Sequence, residues 1–564
     1  MDKSYLFDRN LLALSARNPD LCSRLSGAET NRNRYKFLES RQGEVIPARV
    51  DPSGTAHPLH SIMDPAREAR RLIDLVGSDS FLILLGLGGG YYPKAALERD
   101  DIGMVAVIEY DLDGLAELLC HCNYAALFGD PRFHLFLDIS GEELEREILN
   151  MYQPVLYGAI RVIPLRARTG IDPGVFAAAG NAIEAAIDKV SADYSVQAHF
   201  GTRWLSNIIR NLKPAGEYQE ALPPVSRVAI TAAGPSLSTQ TEQLRQKRNE
   251  FFLIAADTSL PCLLNEGITP DAVISIDCQH ISYYHFMDGL PEGILLFLDL
   301  ASPPLLASRF KNYRFFTGGH PLTRYISRVW KALPELDTSG GNVTYAALSL
   351  AEELGAREIE LYGADFSYPS GISYARGTYI YSFFGKSQNR FAPLEAQSSG
   401  FLFRGPLEKI TRDNDSWYYE TKALKFYRER LEEKISHMAA VLIPVGGMGA
   451  PINIRHSGNR QRSLRIFSSG KAAMSAGDFL REYGKEIAGL PEPGKNIAEY
   501  LSLLKDREHD VFTTILPAAA AIKRRHPLGR RGIPPGDFRE LLEETKTYCL
   551  KEIEKLTGGA DYGT

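Results

Sequence analysis

The sequence predicts an α/β protein with a central Rossmann-like domain, an N-terminal doubly wound α/β domain and a helical C-terminal domain. Three observations carry this. Apolar runs of strand length end repeatedly in a small or acidic residue and give way to helix-like segments. Two of those strand ends carry glycine turns, Gly86–Gly90 and Gly234–Ser236. After Asp413 the apolar positions fall at helical spacing.

A chain of 564 residues exceeds one ordinary core, so about two to four domains are expected. With 44% hydrophobic and 24% charged residues, the composition is that of a soluble globular protein. The net charge of -5 argues against a general nucleic-acid binder. No apolar run reaches bilayer-spanning length, and Met1-Asp2-Lys3-Ser4 does not open a signal peptide. The expectation is a cytoplasmic protein with neither nucleic acid nor membrane as partner. Six irregularly spaced cysteines read as reduced thiols. Cys120-His121-Cys122 places its ligands too close for a metal seed, and no second pair follows.

Residues 1 to about 75 form an entry module whose function is not legible, ending in a helix around Asp64 to Val76. Phe81–Leu85 is a buried-strand run leading into Gly86-Leu87-Gly88-Gly89-Gly90. A second run from Met104 ends at Glu109, about twenty residues beyond the glycines. This βαβ spacing suits a dinucleotide or S-adenosylmethionine, with the acid on a ribose, and is similar to the first half of a class I methyltransferase. The loop lacks the full dinucleotide fingerprint, and a domain kept for structure or docking is the preferred reading. Helical stretches at Phe176–Val190 and Trp204–Leu212 follow, and Pro214 to Pro224 marks a boundary. The expected domains are 1–215, 216–412 and 413–564.

In the central domain Val228–Ile230 feeds Gly234-Pro235-Ser236 and then a polar helix. A strand, tight turn and helix start place free N–H groups and a positive dipole end where an anion can bind. Gly234 permits close approach, Pro235 suits a first turn, and Ser236 can cap or donate. Later strands end at Asp257, Asp277 and Asp365, the edge on which open α/β sheets bind ligands; a single such acid is as often a helix cap. Gly340-Gly341-Asn342-Val343-Thr344 opens a second helix in the same manner, with Asn342 or Thr344 as an ordinary cap on the bland reading. Beyond Asp413, Trp417–Ile435 and segments near Ala473–Gly484, Asn496–Lys505, Val511–Arg525 and Phe538–Leu556 read as helices. Lys523-Arg524-Arg525 and Arg530-Arg531 form a basic, solvated face.

In order, Gly234-Pro235-Ser236-Leu237, Asp257, Gly267–Asp271 leading to Asp277, Gly340–Thr344 and Gly363–Phe366 resemble the motility accessory factor family of flagellated bacteria. That family's central domain is shared with archaeal 6-hydroxymethylpterin diphosphokinases and is similar in fold to bacterial sialyltransferases that use CMP-activated sugars. The resemblance covers residues 200 to 380 well, and the flanking domains loosely.

It implies transfer of a nonulosonic acid, of the pseudaminic or legionaminic type, from its CMP donor to Ser or Thr of flagellin. The Gly234-Pro235-Ser236 turn would meet the CMP phosphate, and Asp257 and Asp277 would line the nucleotide side. Gly340, Gly341, Asn342 and Thr344 would hold cytidine or phosphate, and Asp365 would sit near the reacting centre. The family usually carries a histidine in the loop after Gly-x-Asp, where this chain has Tyr374. A tyrosine is a poor base at neutral pH but can donate a hydrogen bond, so Asp365, His280, His285 or His320 would take that role. Arg376 could neutralise a donor carboxylate or phosphate, or be a surface arginine. No metal or other cofactor is expected for this reaction. Two further readings stand beside it: ATP-dependent diphosphate transfer to a pterin, with Mg²⁺ on Asp257, Asp277 and Asp365, and a non-catalytic flagellin-binding factor.

Overall fold

Strand-forming runs that are apolar throughout, rather than alternating, belong to parallel sheets covered on both faces, and this chain builds two of them. The computed structural model describes residues 3–30, 32–77, 81–287, 289–412, 415–454, 467–493, 497–525 and 535–558. The chain divides into two compact units, Met1–Thr202 with Glu486–Leu550, and Arg203–Lys485 with Lys551–Thr564.

The first unit holds a four-stranded parallel sheet in the order Phe133–Leu137, Met104–Glu109, Phe81–Leu85, Ile160–Pro164. Every residue of Phe81–Leu85 and Met104–Glu109 is buried, which is why those two strands read as unbroken apolar runs. The entry module comprises helices Lys3–Ser15 and Pro19–Ser26, an antiparallel meander of Tyr35–Glu39, Val45–Val50 and Ala56–Pro58, and helix Pro65–Ile73. Asp64 caps that last helix by accepting the Arg67 N–H at 2.8 Å. Helices Ile497–Leu503 and Asp506–Lys523 belong to this unit, with Tyr500 packed edge-on against Phe512.

The second unit is built on a seven-stranded parallel sheet. Its order is Tyr313–Phe316, Leu295–Asp299, Ala272–Ser275, Phe252–Ala256, Arg227–Thr231, Glu358–Tyr362, Val441–Pro444. The chain steps outward from Arg227–Thr231 to Tyr313–Phe316, then returns to lay Glu358–Tyr362 on the other side of the starting strand. This is a topological switch point, and the crevice it opens lies at the carboxyl ends of those two strands. Helix Val343–Glu353 contributes Ala346, Ala347, Leu350 and Ala351 to the core beside Ile230, Ile254 and Ile274.

Two boundaries differ from the sequence reading. Residues after 412 do not begin a helical domain, because Val441–Pro444 is the seventh strand of the central sheet. Trp417–Glu420 is likewise a strand, paired with Tyr368–Pro369 and Glu408–Thr411, and the helix begins only at Lys422. A four-residue apolar run closed by proline carries too little period to be distinguished from a loop. Near residue 215, Phe176–Val190 and Trp204–Leu212 are parts of one helix, Pro173–Ala215, whose residues to 202 fall in the first unit. Arg530-Arg531 lie outside the described residues. Among the described residues, no helix is long and apolar enough to cross a membrane.

Candidate active site

Parallel strands deliver their following loops to one edge, at about 4.8 Å per strand. Across the middle of the large sheet, that edge presents Asp277, Asp257, Gly234–Ser236, Gly363–Asp365 and Gly446–Gly449 in spatial sequence. Sites far apart in sequence thus fall along one edge.

The switch point is closed by a knot of hydrogen bonds. Buried Asp365 accepts the Ser236 backbone N–H at 2.8 Å through Oδ2 and the Ser236 hydroxyl at 2.5 Å through Oδ1. The Ser236 Oγ in turn accepts the Met448 N–H at 2.7 Å. Of the two roles open to Ser236, capping and donating, the structure shows donation: no side-chain bond caps helix Leu237–Gln246. Burial raises the Asp365 carboxyl, opposed by the Ser236 hydroxyl and N–H, the Gly449 N–H and the Arg412 charge.

Gly234 is required by its own chain, since a Cβ there would lie 2.4 Å from Asp365 Oδ2 and 2.5 Å from the Gly363 carbonyl. The Gly234 N–H donates to Gly363 O at 2.8 Å, the Leu237 N–H to Gly234 O, and Pro235 has no N–H. The amides of this turn are therefore already paired within the protein. Beside the knot lies a cavity of about 580 Å³ lined by Ser236, Gln240, Asp365, Arg412, Gly446 and Gly447, among others.

On the other side of the switch point, the edge carries Asp257, Asp277, His285, Tyr374 and Tyr379. Asp257 is buried, accepting Ser275 Oγ at 2.6 Å and the Thr258 N–H at 2.7 Å. Asp277 accepts the Gln279 N–H at 2.9 Å; burial raises its carboxyl, the Asp257 charge adds to the rise, and His285 opposes it. The loop bearing Tyr374 is tied to the Gly234 turn by Ala375 N–H donating to Ala233 O at 2.9 Å. Burial raises the Tyr374 phenol far above its ordinary value, with Tyr379, Tyr368 and Asp257 adding and Arg404 opposing. Tyr374 is thus held as a hydrogen-bond donor and not as a base. Arg376 is exposed, with its backbone N–H on Ser238 Oγ. Arg404 is exposed as well, its guanidinium over the Phe401 ring at 4.2 Å and its charge acting on Tyr368, Tyr374 and Tyr379.

The turn at Gly340 lies apart from the cavity lining. A Cβ at Gly340 would strike the Tyr345 ring, and Gly341, at φ +70, sits against Tyr427. Asn342 caps the following helix, its Oδ1 accepting the Tyr345 N–H at 3.0 Å. Thr344 is buried. No side chain of this turn reaches the Ser236–Asp365 knot.

The glycine loop of the first unit is filled by its own neighbours. The Gly89 N–H donates to His60 Nε2 at 2.9 Å, and the Tyr124 hydroxyl donates to Gly88 O at 2.6 Å. Glu109, the residue with ribose-binding spacing, accepts the Leu87 N–H at 2.8 Å and pairs with buried Arg168 at 3.2 Å. Cys120 and Cys122 form no disulfide, and His121 stacks on Phe37.

Arg404 and the Gly446–Gly449 loop escaped the sequence reading. The second left a signal, three glycines directly after a short apolar run; the first left none, because only the fold brings it to the tyrosines. Among the described residues, no group of three or more His, Cys, Asp or Glu side chains is placed to hold a metal ion. Asp257, Asp277 and Asp365 thus do not form a Mg²⁺ site by themselves.

The 6-hydroxymethylpterin diphosphokinase MptE-like family model matches residues 202–371. An uncharacterized protein of Treponema pallidum (strain Nichols) is 32% identical over 155 residues, 27% of this chain and 74% of that protein. A second from the same organism is 40% identical over 126 residues, 22% of this chain and 45% of its own length. A third is 29% identical over 202 residues, 34% of either chain, so the chain spans less than half of these last two. Among solved structures, a MAf glycosyltransferase from Magnetospirillum magneticum AMB-1 superposes with a TM-score of 0.60 at 15% identity, over 98% of this chain and 96% of that one.

Proposed function

The chain belongs to one family with its Treponema relatives, built on an MptE-like domain within the motility accessory factor fold, and from that premise we propose that it is a glycosyltransferase. The donor is a CMP-activated nonulosonic acid of the pseudaminic or legionaminic type, and the acceptor a Ser or Thr hydroxyl of flagellin. One observation carries the reading. The MAf glycosyltransferase likeness runs through 98% of the chain, flanking segments included, and its sheet sets a row of polar groups along one edge beside a switch point. A small-molecule kinase has little use for those flanking segments.

In this reading the nucleotide lies along the edge from Asp277 toward Asp365. Asp257 and Asp277 take the nucleoside side. Gly340, Gly341, Asn342 and Thr344 supply amides at a helix start. The Gly234-Pro235-Ser236 turn acts through its shape, since its amides are paired internally, and Asp365 fixes that shape. Tyr374 donates to the leaving CMP phosphate, where developing charge needs a preorganised donor. Arg404, exposed like Arg376 and within electrostatic reach of Tyr374 and Tyr379, joins Arg376 in offsetting the donor's carboxylate or phosphate.

The MptE-like match favours a second reading, diphosphate transfer from ATP to a pterin. Mg²⁺ would then rest on one or two carboxylates together with the substrate's phosphates. Thermal-shift titration separates the two. Stabilisation by CMP and not by ATP with Mg²⁺ is expected; the reverse selects the kinase, and stabilisation by neither, with flagellin retained on a column, selects a non-catalytic binding factor.

A further inference from the structure

The proposed transfer requires a group that removes the acceptor hydroxyl's proton, and the tyrosine in the expected loop cannot provide it. We infer that His285 is that base, oriented by the Tyr379 ring. The inference rests on the transferase reading given above.

The geometry singles out this histidine. His285 lies in the last turn of the 3-10 helix His280–Phe286, which begins three residues beyond Asp277 and is anchored by Ser282 Oγ donating to the Asp277 and Gln279 carbonyls at 3.2 and 2.9 Å. Its ring stands edge-on to Tyr379, centroids 4.6 Å apart at 83°. Its Nδ1 is enclosed with no hydrogen-bond partner, leaving Nε2 as the nitrogen for exchange with substrate. The Asp277 carboxylate at the end of the neighbouring strand lies within electrostatic reach of this ring.

The alternatives are committed elsewhere. His320 caps helix Pro321–Val329, Nδ1 accepting the Leu322 N–H at 3.1 Å, and burial lowers it to about 3. His280 is exposed at the start of its 3-10 helix. Asp365 already accepts three hydrogen bonds from Ser236 and Gly449.

The step balances. The acceptor O–H gives its proton to His285 Nε2, and its oxygen forms a bond to the anomeric carbon of the sugar. The bond from that carbon to the phosphate oxygen breaks, and its electron pair leaves with CMP.

The test compares wild type with His285→Gln in CMP release from a CMP-nonulosonate in the presence of flagellin, across pH, with CMP thermal shift as the binding control. His285→Gln is expected to lower the rate roughly 10²- to 10⁴-fold with the CMP shift retained, and to abolish the fall in rate on the acid side. Wild-type transfer matched by His285→Gln, with the same acid limb, overturns the base assignment alone. A wild type that neither shifts with CMP nor releases it from the donor overturns the transferase reading, and the base assignment with it.

Discussion

Ser236 and Asp365, 129 residues apart in the chain, are joined by two hydrogen bonds across the switch point of the large sheet. The Ser236 hydroxyl carries the connection onward to Met448 in the loop after the seventh strand. Three strands are locked at their carboxyl ends by one carboxylate and one hydroxyl. Replacing Asp365 with Ala strands buried donors, each worth about 1–3 kcal/mol. Urea denaturation should register that loss; a variant as stable as wild type would remove the knot from the account.

Asp299 supplies a pH signature. Burial raises its carboxyl to about 7, opposed only by the Ala301 N–H. Its folded value lies above the unfolded value of about 4, so the folded state binds the extra proton. Its stabilising protonation is fully present below about pH 4 and is lost as pH rises through about 7. Asp299→Asn should flatten this part of the stability-versus-pH profile and raise stability at pH 8. Denaturation at a series of pH values reads both effects, and an unchanged slope contradicts them.

Most strands of both sheets were legible because runs such as Phe81–Leu85 and Phe251–Ala255 are apolar on both faces and end in turn residues, but Ile160–Pro164, exposed over much of its length, was not. The MptE-like segment was legible for the same reason: its motifs sit at those ends. Val441–Pro444 was not, since four residues give no period and their partner, Glu358–Leu361, lies some eighty residues upstream. Gly234 marks a second limit. Its sequence announces close approach but not to what, and the structure answers with Asp365 and Gly363. The approach of Tyr379 to His285, and of Arg404 to Tyr374, depends on the path of the 366–404 segment, which no local pattern encodes.

The glycine loop of the first unit should behave as structure. Glu109→Ala leaves Arg168, buried and still near Asp172, without its enclosed partner, and removal of one member of a buried pair costs about 3–5 kcal/mol. A loss of that order in equilibrium unfolding is expected, with S-adenosylmethionine and NAD giving no thermal shift of the wild type. A shift with either would reopen the loop as a ligand site.

Asn342 separates capping from binding. Asn342→Ala removes the Tyr345 cap and should cost about 1 kcal/mol, whereas Asn342→Asp keeps a capping oxygen and the stability. In the proposed function the Asp variant sets a negative charge beside the nucleotide phosphate and should still weaken CMP. Unfolding curves and CMP titrations of the pair decide it; equal CMP affinity in Asp and wild type would take this turn out of the site.

The central claim is tested most directly by intact-mass measurement of flagellin after incubation with the purified protein and a CMP-nonulosonate. A gain of whole nonulosonic-acid increments, matched by released CMP, is the result this account predicts. Flagellin of unchanged mass, with the donor intact, would contradict it.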